Sequence, residues 1–260
     1  MIRNFLIIAV AALVLSVVCL AGAFALGGRE LAANGWSWTV IGDDGEPVRF
    51  ERVSGADAPD PGPGVTRTLN WDGGDALTVA FSGNVRYVQG DKAEVTITGP
   101  ESVVERVRIE GGRIDLTDGD EDVYILWRGG RIRSWESVDH LQITVTAPSV
   151  TRFSLEGSGD LDIRDYDQPR IDLDLSGSGE ITAQGRTDAV ELDINGSGDV
   201  ELDRLETRDA TVSISGSGDA TVAPTGRATI AISGSGDVTL TRRPESVDSR
   251  ISGAGDVHQP

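Results

Sequence analysis

A four-residue block recurs six times in the last 110 residues, and this repeat limits the fold more than anything else in the chain. Gly-Ser-Gly-Asp stands at 157–160, 196–199, 216–219 and 234–237, while Gly177–Glu180 ends in Glu and Gly253–Asp256 carries Ala254. Successive first glycines are 20, 19, 20, 18 and 19 residues apart. The flanks keep register with the block. Two positions before it stand Leu155, Leu175, Ile194, Ile214, Ile232 and Ile251, and two further back stand Phe153, Leu173, Leu192, Val212, Ile230 and Ser249. After it come Leu161 and Ile163, Ile181 and Ala183, Val200 and Leu202, Ala220 and Val222, Val238 and Leu240, then Val257. Between these lie Asp172, Asp174, Glu191, Asp193, Thr211, Ser213 and Thr229. That alternation is the period of a strand with one face in water.

A unit of about 19 residues is too short to bury its own apolar face, so each copy must stack on the next. Residues 151–260 are therefore expected to form a six-coil parallel β-helix, with the glycines serving corners that need positive φ or close approach. At about 4.8 Å per coil the column would be roughly 29 Å long. The strong hand of parallel crossovers predicts a right-handed coil. Residues 65–150 also read with period two, in Leu77-Val79-Phe81, Val95-Ile97, Val107-Ile109, Ile114-Leu116, Val123-Ile125-Trp127 and Leu141-Ile143-Val145. The fold class is all-β, a β-solenoid preceded by a β-rich N-terminal half.

Upstream, residues 26–64 read as a Pro/Gly-rich linker, with three prolines between Ala56 and Gly64. Trp36 and Trp38 could mark one face of a short strand or an interfacial anchor. Residues 1–25 are a signal peptide or a membrane anchor. Arg3 precedes an uncharged run from Phe5 to Leu20, and Ala23-Phe24-Ala25 fits a cleavage site. If uncleaved, Phe5–Leu26 is long enough to span a bilayer, and this is the only membrane contact expected. Cys19 follows Val18 and is a poor lipidation site. Either way, the body of the protein is exported.

Composition narrows the chemistry. The formal net charge of -19 repels phosphate backbones, so nucleic acid is not an expected partner. One cysteine and two histidines, His140 and His258, leave no disulfide scaffold, thiol nucleophile or His-rich metal centre. No catalytic, cofactor-binding or metal-ligating residue is nominated, and no cofactor is expected.

The repeat itself raises one ligand question. Stacking places Asp160, Glu180, Asp199, Asp219, Asp237 and Asp256 in one column, where carboxylates about 4.8 Å apart repel by about 1 kcal/mol in water. Calcium could relieve this. The alternative is that each carboxylate accepts backbone N–H groups at its own corner or splays into solvent. The block occurs once per coil and the other corner varies, which favours the alternative. Tyr87, Trp71, Tyr124, Trp127 and Trp135 are expected to plug the top of the column. Arg113, Arg128, Arg131 and Arg133 read as a solvated, salt-bridged face, or else as a site for acidic glycans.

Taken with the lead-in Leu77-Thr78-Val79…Val95-Thr96-Ile97-Thr98-Gly99, the iterated block from Gly157 to Val257 resembles the GIN-domain family over roughly residues 66–260. This is a family of exported bacterial domains labelled auto-transporter adhesin heads. The resemblance implies a β-helical domain outside the cytoplasm, in the periplasm or at the cell surface of a Gram-negative bacterium, and a role in adhesion. No barrel pattern follows the sixth copy, so export through a barrel of its own is not expected. The reading is a non-enzymatic envelope protein presenting a rigid acidic β-helical surface for binding or adhesion. Envelope polysaccharide or another envelope protein is the expected partner. Two rivals are a polysaccharide-processing β-helix enzyme and a self-assembling element that uses the last coil, Ile251–Val257, as an edge.

Overall fold

Strands that alternate apolar and polar residues bury one face each, and their stacking order decides where the outward residues meet. The computed structural model describes residues 37–41, 47–53, 64–117, 121–128, 131–136 and 140–260, with side chains over 64–117 and 140–260. The signal or anchor at 1–25, Trp36 and the three prolines between Ala56 and Gly64 lie outside the described residues. Among those described, no helix is long and apolar enough to cross a membrane.

The chain divides into two units. One is a four-stranded sheet of Ser37–Ile41, Pro47–Val53, Glu121–Arg128 and Arg131–Glu136, in that spatial order. The first and last neighbours pair antiparallel, and the central two, Pro47–Val53 and Glu121–Arg128, pair parallel. Two of these strands lie within 26–64, the stretch read as a linker, and the first of them contains Trp38, where a short strand was one of the two expectations. The local sequence accounts for them: β-branched and aromatic residues flank Gly42-Asp43-Asp44-Gly45, which is hairpin chemistry.

The second unit is the solenoid, with about five turns in its C-terminal part. It has two parallel ladders. One precedes each glycine block and stacks Leu155, Leu175, Ile194, Ile214, Ile232 and Ile251 in register. The other follows the block and stacks Leu161, Ile181, Val200, Ala220, Val238 and Val257. Every one of these is buried except the last in each row. The coils differ by one or two residues in length, and register shifts at Ile163/Tyr166, Thr182/Gln184 and Leu202/Thr207 take up the difference. The rows stay aligned because a one-residue slip within them would turn each apolar set outward.

The glycine corner is a backbone device. The Ser178 N–H donates to the Gly157 carbonyl at 2.9 Å, Ser197 to Gly177 at 2.9 Å and Ser217 to Gly196 at 2.8 Å. Ala254 makes the same bond to Gly234 at 2.8 Å, so the corner does not need the hydroxyl. The opposite corner varies in sequence, yet Thr187 and Thr207 are buried and stack there. Their hydroxyls donate to the carbonyls two residues on, Ala189 at 3.2 Å and Asp209 at 3.0 Å.

A further rung, absent from the sequence reading, precedes the six copies. Ala76–Val79 pairs parallel with Arg152–Gly157 so that Val79 faces Leu155, and Asn84–Gln89 pairs with Asp160–Asp167 so that Asn84 faces Asp160. The corner between them is Phe81-Ser82-Gly83-Asn84, with Phe81 where the first glycine belongs.

Beyond this rung the two ladders become a cap. Arg113–Leu116 and Val107–Glu110 extend one, and Gln142–Ala147, Glu94–Pro100 and Gly64–Asn70 extend the other. A single-turn helix, Glu101–Val104, buries Val103 and Val104. Below the cap three aromatic rings meet edge to face, Tyr87 with Phe153 at 5.0 Å and Phe153 with Tyr166 at 6.0 Å between centroids. The Tyr87 hydroxyl donates to the Ala147 carbonyl at 2.7 Å, and burial pushes its pKa up to about 12. Of the five aromatics expected as a plug, Trp71 and Tyr87 join this core. Tyr124, Trp127 and Trp135 belong to the four-stranded unit, and their side chains lie outside the described residues.

Candidate binding face

The six carboxylates of the repeat do form a column. Asp160 pairs in register with Glu180, and Glu180 with Asp199. From there each aspartate reaches the next coil. The Asp219 N–H donates to Asp199 Oδ1 at 3.1 Å, the Asp237 N–H to Asp219 Oδ1 at 2.7 Å, and the Asp256 N–H to Asp237 Oδ1 at 2.8 Å. The acceptor therefore serves the following coil, an arrangement not among those expected from the sequence, which were its own corner, solvent or calcium. Among the described residues, no group of three or more Asp, Glu, His or Cys side chains converges to hold a metal ion.

This staircase makes a testable distinction. Asp237→Ala removes the acceptor of the Asp256 amide and is expected to cost about 1 kcal/mol in denaturant unfolding. Asp237→Asn keeps the oxygen and should unfold like the parent. A large loss in the asparagine variant, or a melting temperature that rises with millimolar calcium, would mean instead that the charged column holds a cation.

A shallow depression of about 260 Å³ lies on the outer face of the ladder that follows the block. Asp160, Asp162, Glu180, Glu201 and Asp203 line it with Arg164 and Arg204. Outward positions of three consecutive coils bring these acids together, although 43 residues separate the first from the last. Two register shifts border it, between Ile163 and Tyr166 and between Thr182 and Gln184. Such bulges bend strands and re-aim side chains. Arg86 and Arg164 both donate to Asp162 Oδ2, at 3.0 and 2.8 Å. Asp160 and Glu180 stand out in the sequence as members of the repeated block, whereas Asp162, Glu201 and Asp203 do not. Their signal was the outward position two and four residues after each block.

Glu180 is the strained member. Burial first, then the charges of Glu201, Asp160 and Asp199, raise its pKa above the ordinary 4.5. A raised carboxyl pKa means the folded state resists ionisation. The resulting cost is absent below the ordinary value and complete above the folded one. Glu180→Gln is therefore expected to raise the melting temperature at pH 7.5, with the gain fading as pH falls and gone by about pH 4. A gain of equal size at both pH values would assign the effect to packing.

The opposite ladder presents Asp172, Asp174, Glu191 and Asp193 beside Arg152 and Arg170. Arg170 bridges two coils, reaching Asp172 Oδ1 at 2.5 Å and Glu191 Oε2 at 2.7 Å. Of the arginine group read from the sequence, Arg113 forms a two-pronged pair with Glu156, at 3.1 and 2.9 Å, and a longer contact to Asp115 at 3.6 Å. The side chains of Arg128, Arg131 and Arg133 lie outside the described residues. On each face the carboxylates of two or three coils thus gather beside arginines, and Thr182, Thr211 and Ser213 hold other outward places in the same rows. Such exposed ion pairs add little stability each.

The family model described as "putative auto-transporter adhesin, head GIN domain" matches residues 75–244. Among solved structures, a putative adhesin from Bacteroides fragilis NCTC 9343 aligns with a TM-score of 0.58 at 18% identity, covering 80% of this chain and 99% of that one. A putative adhesin from Parabacteroides distasonis ATCC 8503 aligns with a TM-score of 0.52 at 16% identity, covering 81% and 100%. At these identities the likeness is one of fold. No curated protein matches the chain.

Proposed function

The chain belongs to the adhesin-head GIN-domain family, and from that membership we propose that it is a non-enzymatic, exported protein of the Gram-negative envelope whose acidic coil faces bind an extended partner. An adhesin-like family fits a protein that works outside the cytoplasm or at the cell surface. The evenness of the column is the observation that carries the proposal. Successive coils repeat the same outward positions, so polar side chains line up across them: Asp160, Glu180 and Asp199, and Asp162, Thr182 and Glu201, on one face, and Asp172 with Glu191 and Asp174 with Asp193 on the other. A row of polar groups at about 4.8 Å suits a ligand that itself repeats, and envelope polysaccharide is such a ligand. Carbohydrate-cleaving β-helices need a cleft of converging acids and sugar-stacking aromatics. The lining of the depression on the outer face holds no aromatic residue.

The test is co-sedimentation of residues 26–260 with isolated envelope polysaccharide, with the supernatant assayed for released sugar. Retention without release is the expected result. Release of sugar would make the protein an enzyme, and failure to sediment would remove polysaccharide as the partner.

A further inference from the structure

The column has unlike ends. One is closed by the cap strands, whereas at the other the strand Ser246–Gly253 pairs on one side only, with Arg227–Gly234. Among the described residues no strand pairs with its outer edge. Ile251, the last of the stacked row, is 43% exposed, while Ile232 one coil earlier is 2% exposed. An open edge with an exposed apolar residue invites strand pairing.

We propose that two copies of this chain join tail to tail, the strand Ser246–Gly253 of one pairing antiparallel with the same strand of the other about a twofold axis at Ser249. The strand reads Ser246-Val247-Asp248-Ser249-Arg250-Ile251-Ser252, which is self-complementary about its middle residue. Antiparallel pairing centred on Ser249 sets Asp248 opposite Arg250 and Val247 opposite Ile251, each pair formed twice. Residues directly opposite in an antiparallel pair point to the same side. Val247, Ser249 and Ile251 continue the inward row of Ala228, Ile230 and Ile232, so the core would run unbroken from one copy into the next. Asp248 and Arg250 face outward, and within one copy they approach only to 3.9 Å.

The charges also select the register. To keep inward residues opposite inward residues, the pairing can shift only so that Asp248 meets Asp248, Asp248 meets Arg250, or Arg250 meets Arg250, for registers near the centre of the strand. Like charges directly opposite are unfavourable on a sheet, and opposite charges are favourable. Only the middle register satisfies both copies. A twofold contact of this kind closes on itself and stops at a dimer. A second copy is therefore the occupant that the strand fits. The proposal stands independently of the polysaccharide reading.

The experiment uses the full chain, produced in an exporting bacterium and purified as it accumulates in a mild detergent. Its mass is followed by sedimentation from about 1 to 500 µM, the range suited to a small interface. The parent should move toward twice the monomer mass. Asp248→Arg alone, or Arg250→Asp alone, places like charges opposite each other twice and should weaken association about tenfold or more. The double variant Asp248→Arg with Arg250→Asp restores complementarity and should restore the dimer. With Cys19 replaced by serine, Ser249→Cys should oxidise to a disulfide-linked dimer, since 249 is the position that meets itself. A constant monomer mass, or a dimer indifferent to both single swaps, would overturn the proposal. Should a single swap fail to fold, the double swap and the cysteine variant still decide the matter: loss of the dimer in one or no cross-link in the other overturns it.

Discussion

Replacing Gly196 with alanine is expected to destabilise the solenoid by about 3–5 kcal/mol, a large share of the 5–15 kcal/mol that holds a typical domain. Two independent penalties meet at this residue. Its φ is +141°, where side chains are rarely found, and a Cβ built on it would sit 2.2 Å from the carbonyl oxygen of Gly177 in the coil before. That oxygen is also the one that accepts the Ser197 N–H at 2.9 Å, so it cannot move aside without breaking the corner. Gly216 repeats the arrangement on Gly196, with its own Cβ position 2.1 Å from the Gly196 oxygen, and a shift would be passed along the column. Gly157 separates the two penalties. Its φ is +110°, but the nearest atom to its Cβ position is Ser82 Oγ at 3.9 Å, because the rung before it has Phe81 in place of a glycine. Gly157→Ala is expected to cost about 1–2 kcal/mol, the strain alone. Urea unfolding of both variants checks this. Equal losses would show that backbone conformation, not contact between coils, requires the glycines.

Truncating Ile214 to alanine should cost about 3–4 kcal/mol, whereas the same change at Ile251 should cost less than about 1. Ile214 is 1% exposed and lies in register between Ile194 and Ile232, so removing its outer carbons leaves a cavity that the stacked coils cannot close. Ile251 occupies the same place in its copy, no coil among the described residues stacks on it, and it is 43% exposed. Chemical denaturation at low protein concentration measures both costs in the monomer. Similar losses at the two sites would mean that the last coil is covered in solution even when the protein is dilute. That result would bear directly on the tail-to-tail pairing.

The two variants also mark where a pattern in the chain and a position in space diverge. In the sequence Ile214 and Ile251 are equivalent, two residues before a Gly-x-Gly-Asp block. Only the stack makes one a core residue and the other an edge. The first rung shows the converse. Phe81-Ser82-Gly83-Asn84 lacks the leading glycine and stands 76 residues before the first regular copy, so it does not register as a repeat. Yet it carries Val79 and Val85 at the right offsets, and the structure pairs it with Arg152–Gly157 and Asp160–Asp167. Residues 86–151 fall between, and much of that stretch serves the cap, whose strands reach their neighbours from far along the chain.

Coil length, the parallel stacking, the inward rows and the need for glycine at one corner all follow from the sequence alone. They follow because a short unit with one apolar face has to bury it against a copy of itself, and the alternating flanks of each block leave one register in which every copy does so. The residues that gather on the outer faces were settled only in three dimensions. Stacking runs across the chain direction, so Asp162, Glu180 and Glu201 become neighbours through the ladder, not through the sequence. The use of the aspartate column was also a tertiary matter. A carboxylate at a corner is free to take a cation, solvent or an amide, and only the stack shows that Asp199, Asp219 and Asp237 each accept the amide of the next coil.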